Sequence, residues 1–136
     1  MEIYTSYFAK ANKLREFGII PISISLYPPK GWNGSQIKNL APLRYMLMKN
    51  VSEEQYISLY NNHILSTLDA KGFIEMLRRN FGEQDIALCC YESPEKFCHR
   101  QLVSKWIKEE TGIEVKEYDF SSGYKEKNKI EQLGLF

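Results

Sequence analysis

Asp85-Ile86-Ala87-Leu88-Cys89-Cys90-Tyr91, continuing through Glu92-Ser93-Pro94 to Cys98-His99-Arg100, is the stretch whose reading decides the fold. A short apolar run after a turn suits a strand buried on both faces of a parallel sheet, so residues 85–91 are read as the central strand. Ser93-Pro94 is a common pairing of N-cap and first helical residue, and it predicts a helix from there to about Thr111, stopped by Gly112. Strand, turn and helix therefore follow one another directly, and Cys98-His99-Arg100 falls at or near the helix start.

Working outward, residues 113–120 (IEVKEYDF) alternate polar and apolar and read as a further strand. Toward the N-terminus, residues 70–80 carry Phe73, Ile74 and Leu77 at helical spacing, with Phe81-Gly82 as a stop. Ser52 with Gln55 three residues on forms a helix start, followed by Tyr56, Leu59, Tyr60, His63 and Ile64 on helical periodicity. Residues 27–42 hold three prolines and two glycines without clean periodicity and read as an ordered excursion; loops of this length are often functional. Ile20, Ile22, Ile24 and Leu26 alternate as a strand, residues 9–17 form a helix ended by Gly18, and residues 1–5 form an opening strand. Strands alternating with helices predict an α/β fold, a Rossmann-like three-layer domain with a mostly parallel sheet flanked by helices. All 136 residues are expected to form one such domain, with residues 121–136 a looser tail that docks, if at all, through Leu133, Leu135 and Phe136.

Composition narrows the function classes. Eighteen basic and seventeen acidic residues leave a net charge of +1, so nucleic acid is not indicated as a partner by any global field. No stretch approaches the length of a membrane-spanning helix and no secretory leader is evident, so a cytoplasmic location without membrane attachment is expected. Three cysteines are an odd set and the adjacent Cys89 and Cys90 are awkward partners, so all three thiols are expected to be free, in a reducing compartment. Neither a cofactor nor an oligomeric state can be read from the sequence.

In open parallel sheets, ligands bind beyond the carboxyl ends of the strands. Cys98, near a helix N-terminus and beside His99 and Arg100, is a candidate nucleophile or redox thiol, with His99 and Glu92 as candidate acid–base groups. Adjacent residues within a helix point about 100 degrees apart, so a direct Cys98–His99 contact requires an irregular turn. Arg100 offers a fork of donors for phosphate or carboxylate, or a scaffold pairing with Glu92. That makes a phosphate-bearing small molecule or nucleotide the expected ligand. Cys90 and Tyr91, with Tyr4, Ser6, Tyr7, Ser25 and Trp32 after the first two strands, are candidate substrate-binding residues, against the plainer reading that they pack the core. Cys90, Cys98 and His99 also offer soft ligands, but Cys-x7-Cys-His lacks the paired spacing of structural zinc sites, so no metal is assigned. Whether the chain is an enzyme is left open: the competitor is a non-catalytic nucleotide- or nucleic-acid-binding or regulatory module that recognises a ligand, or holds a metal through Cys90, Cys98 and His99. Tyr56 and Tyr60, one turn apart, are expected to pack a helix on the sheet.

Leu88-Cys89-Cys90-Tyr91-Glu92, followed by Cys98-His99-Arg100-Gln101-Leu102-Val103 and Trp106, resembles the signature of a bacterial and phage family, domain of unknown function 488. Tyr4-Thr5-Ser6-Tyr7-Phe8-Ala9, the Ile-Ser alternation before the loop bearing Trp32, and Leu40-Ala41-Pro42 are similar to further landmarks of that family. The resemblance implies that Cys90, Tyr91, Glu92, Cys98, His99 and Arg100 form the site, with Cys89 outside it. It carries a phage association and names no reaction.

Overall fold

The computed structural model describes residues 1–121, and the docking expected of Leu133, Leu135 and Phe136 lies outside the described residues. Five strands, β1 (Ile3–Tyr7), β2 (Ile19–Ser23), β3 (Ser35–Gln36), β4 (Asp85–Cys90) and β5 (Lys116–Glu117), form one sheet in the order β3-β2-β4-β1-β5. Every pairing is parallel, with β4 at the centre. Among the described residues four α-helices accompany them: α1 (Ala11–Glu16), α2 (Glu53–His63), α3 (Ala70–Phe81) and α4 (His99–Thr111).

Alternation along β4 sorts its side chains onto two cores. Ile86 and Leu88 join Ile3 and Ile22 beneath Tyr60 of α2, Ile74 and Leu77 of α3, and Val103 and Ile107 of α4. Ala87 and Cys89 face the other way, onto Leu14 of α1 and Ile19. Because both faces of β4 are covered from Ile86 to Cys90, its sequence is apolar over that run, as the three-layer α/β reading requires. The expected capping box opens α2: Gln55 N–H donates to Ser52 Oγ at 3.1 Å and Ser52 N–H to Gln55 Oε1 at 2.8 Å. Gly112, at φ 76°, ends α4 in the left-handed region where a side chain would be strained.

Three elements differ from the sequence reading. The excursion through residues 27–42 contains the two-residue strand β3, hydrogen-bonded to the edge of β2. The strand expected over residues 113–120 shrinks to β5, which among the described residues pairs only with β1, while Tyr118 and Phe120 leave it to pack edge to face on each other and, through Tyr118, on Tyr4. The helix expected from Pro94 begins instead at His99, with Cys98 as an extended N-cap (φ −148°, ψ 153°). The intervening loop is pinned by Arg100, whose Nη1 donates to the Glu92 carbonyl at 2.6 Å and so holds residues 91–98 away from helical geometry.

Candidate functional site

The carboxyl end of β4 and the first turn of α4 meet at a cleft of about 320 Å³. Parallel register brings the ends of three strands together there: Tyr7 of β1 lies beside Cys90, and Ser23 of β2 beside Cys89. The chain leaving β2 then carries Ser25 and Tyr27 into the cleft wall. Opposite stand Tyr56 of α2 and Phe97 of the loop, their rings edge to face with centroids 5.6 Å apart. Cys90, Tyr91, Glu92, Cys98 and His99 complete the lining of the cleft.

Cys90 and Cys98 are joined by a disulfide, with Cα atoms 7.2 Å apart. This corrects the expectation of three free thiols. Sequence spacing rejects a bond between neighbours such as Cys89 and Cys90, but it cannot show that residues 91–97 fold back to set the α4 N-cap over the end of β4. Cys89, on the opposite face of the strand, is the free thiol among the described residues; burial pushes its pKa up to about 12.

His99 is buried, and its Nε2 lies 2.7 Å from the Ile24 carbonyl oxygen. That acceptor requires Nε2 to carry the proton, which leaves Nδ1 as an open acceptor in the neutral ring. Nδ1 lies 3.6 Å from Cys98 Sγ. The contact that two adjacent helical residues could not make is available here because Cys98 is an extended cap and not part of the helix. Burial lowers the His99 pKa to about 4, with the Ile24 hydrogen bond opposing and the Arg100 charge adding to the depression. This low value belongs to the disulfide, whose sulfur is uncharged. A thiolate at the same place would be an opposite charge within 4 Å and would raise the imidazole pKa.

Arg100 is 0% exposed, and its donors go to protein atoms. Nε and Nη2 reach the two carboxylate oxygens of Glu117 at 2.9 and 3.3 Å, and Nη1 reaches Cys90 Sγ at 2.9 Å as well as the Glu92 carbonyl. Its guanidinium carbon lies 5.9 Å from the Tyr7 ring centroid. Two expectations change as a result. The fork is closed on Glu117 and does not open into the cleft to grip an anion, and the carboxylate that pairs with Arg100 is Glu117, not Glu92. The sequence signal for Glu117 was its place in the alternating segment after Gly112, one strand over from Thr5, whose Oγ1 also donates to it at 2.8 Å.

The remaining candidates divide. Ser25 and Tyr91 line the cleft, and the Tyr91 hydroxyl donates to the Tyr27 carbonyl at 2.6 Å. Tyr7 backs Arg100 instead of lining the cleft. Tyr4 packs on Tyr118 on the opposite face of the sheet, and Ser6 is buried beside Cys89 with its Oγ lacking a hydrogen-bond partner among the described residues. Trp32 lies in a separate hollow and reaches the site only by way of Phe8, whose ring packs on both Trp32 and Tyr91. Tyr56, expected only to pack, does stack on buried Tyr60 with rings 6.0 Å apart, but it also lines the cleft. The helical spacing of 56 and 60 was the available signal, and its outer member was the informative one.

A protein-family model, DUF488-N3a, described as the active DUF488-N3 subclade, matches residues 7–111. The chain belongs to the DUF488-N3a family. Neither a curated protein nor a solved structure matches it. The matched span contains β1 from Tyr7, the loop through Trp32, and the whole Cys90 to Arg100 segment, so the family resemblance and the cleft fall on the same residues. The DUF488-N3a chain has no helix among its described residues long and apolar enough to cross a membrane.

Proposed function

We propose that this DUF488-N3a protein is an enzyme that works through a nucleophilic thiol on a small molecule bearing a planar ring, such as a nucleobase or related heterocycle. The observation that supports this most strongly is the arrangement of His99: its Nε2 is committed to the Ile24 carbonyl, so its Nδ1 faces the sulfur of Cys98 at the rim of an aromatic-lined cleft. In the reduced protein Nδ1 accepts the Cys98 S–H proton, and the resulting thiolate sits at the N-terminus of the 13-residue helix α4, whose dipole favours it. Of the two site cysteines, Cys98 is the more reachable, 7% exposed against 1% for Cys90. It is therefore assigned the attack, with His99 as general base and, on proton return, general acid.

Arg100 is assigned a positioning role. It fixes the loop through the Glu92 carbonyl and places positive charge against Cys90 Sγ. Glu92, exposed at the cleft edge, is available to accept or supply a proton on the substrate side. Tyr27, Tyr56 and Phe97 give the ring its apolar walls, which explains a preference for the ring over a phosphate now that Arg100 is committed elsewhere.

A second reading, non-catalytic metal binding, rests on one observation: a ligand atom from each of Cys90, Cys98 and His99 lies within 4.8 Å of the others. Three ligands of this kind suit zinc in the reduced protein, and a closed, non-catalytic site would take its fourth ligand from outside the three. One experiment separates the two. The reduced protein is alkylated with iodoacetamide with and without zinc and with a panel of nucleosides, and modification is followed peptide by peptide. The enzyme reading expects rapid Cys98 alkylation that a bound nucleoside slows at least about fivefold and zinc leaves unchanged. Stoichiometric protection of Cys90 and Cys98 together by zinc, with no effect of any nucleoside, would replace it with the metal reading.

A further inference from the structure

Cys90 is not explained by a mechanism in which Cys98 acts alone. It is buried at the end of β4, bonded to Cys98, and receives a hydrogen bond from a guanidinium that is itself completely buried. We infer that Cys90 and Cys98 act as one two-electron centre, so that the protein reduces a small disulfide held in the aromatic cleft. This rests on the assignment of Cys98 as the attacking thiol, narrows the planar-ring substrate to one that carries a disulfide, and gives Cys90 a role.

The geometry supplies each part of the cycle. The Cys98 thiolate attacks one sulfur of the substrate, the substrate S–S bond breaks, and the first thiol leaves with the proton held at His99 Nδ1. Cys98 is then in a mixed disulfide. Cys90 reaches Cys98 Sγ, as the bond between them shows, and Arg100 Nη1 stabilises it as a thiolate. Cys90 attacks Cys98 Sγ, the mixed disulfide breaks, and the second substrate sulfur leaves as a thiol after taking up a proton. The substrate gains two electrons and two protons, and the protein dithiol becomes the Cys90–Cys98 disulfide. Two equivalents of a low-molecular-weight thiol, entering by the same open cleft, reduce that disulfide by successive exchange, leave joined as their own disulfide, and restore the starting dithiol. Cys89 takes no part, since it lies on the opposite face of β4 in the core beneath α1.

The probe is an aromatic disulfide, dithiobis(nitrobenzoate), added to the full-length protein after reduction and removal of the reductant. Coloured thiol release and intact mass are read together. The wild-type protein is expected to release about two equivalents of nitrothiobenzoate and retain no adduct, ending two mass units lighter as the disulfide. Cys90→Ser is expected to release about one equivalent and hold a stable adduct on Cys98, and Cys98→Ser to react at least about tenfold more slowly. A wild-type protein that keeps a nitrothiobenzoate adduct on Cys98 overturns the paired centre while leaving Cys98 as the nucleophile. A wild-type protein whose Cys98 reacts no faster than that of the unfolded chain removes both assignments. Should Cys90→Ser fold poorly, Cys90→Ala read by the same adduct mass gives the same decision.

Discussion

Arg100→Ala is expected to lower the stability of the DUF488-N3a protein by roughly 3 kcal/mol in denaturant melts, among the largest effects of any single substitution. Breaking a buried ion pair from one side commonly costs about 3 to 5 kcal/mol, because the remaining partner is left uncompensated. The lower end applies because the Glu117 side chain is 30% exposed and can hydrate when the cation is lost. Glu117→Ala is expected to cost at least as much, because the guanidinium it leaves behind is fully buried and has no access to water. The double substitution should therefore cost little more than either single one, giving a coupling energy of about 2 kcal/mol or more. Arg100→Lys should recover little, because a single ammonium cannot serve Glu117, Cys90 Sγ and the Glu92 carbonyl from one place. Additive losses in the cycle would mean that Arg100 and Glu117 do not depend on each other.

The second large effect is a loss of stability in acid. In the disulfide form, burial holds the His99 pKa at about 4, against an ordinary value of 6.5. Because the folded value is the lower one, the unfolded chain binds a proton that the native protein refuses throughout the interval between them. The stability due to neutral His99 is complete above about pH 6.5 and drains away as pH falls toward 4. Between pH 7.5 and 4.5 the loss is expected to be roughly 2 to 3 kcal/mol. His99→Gln removes the titration, so its stability should change less over the same range by about that amount. Equal losses in the two proteins would show that carboxylates elsewhere, and not this imidazole, set the acid limit.

The parts of the molecule that the sequence disclosed are those governed by local pattern. The run from Ile86 to Cys90 is apolar because β4 is covered on both faces, and a covered strand needs apolar residues at every position. Ser52 and Gln55 announced α2 because a capping box is built from residues three apart. That Cys98 and His99 share a cleft with Cys90 was legible because chain order alone puts the strand end and the helix start together. What stayed hidden depended on how distant segments meet. Glu117 lies 17 residues from Arg100, and only the pairing of β5 with β1 carries it there. The Cys90–Cys98 bond depends on the path of seven intervening residues, which Ser93-Pro94 misleadingly suggested were helical. Tyr4 and Ser6 were placed in the pocket by proximity to a strand end, but alternation turns them to the face beneath α1, where the cleft does not reach.

The central claim is that His99 Nδ1 activates Cys98. It is tested most directly by the pH dependence of Cys98 alkylation in the reduced protein, resolved from Cys90 and Cys89 by peptide mass, in wild type and His99→Gln. An activated thiol predicts a wild-type rate that rises with an apparent pKa at least about one unit below the ordinary 8.5, and a shift of that midpoint back toward 8.5 in His99→Gln. A wild-type midpoint at or above 8.5, unchanged when His99 is replaced, would contradict it.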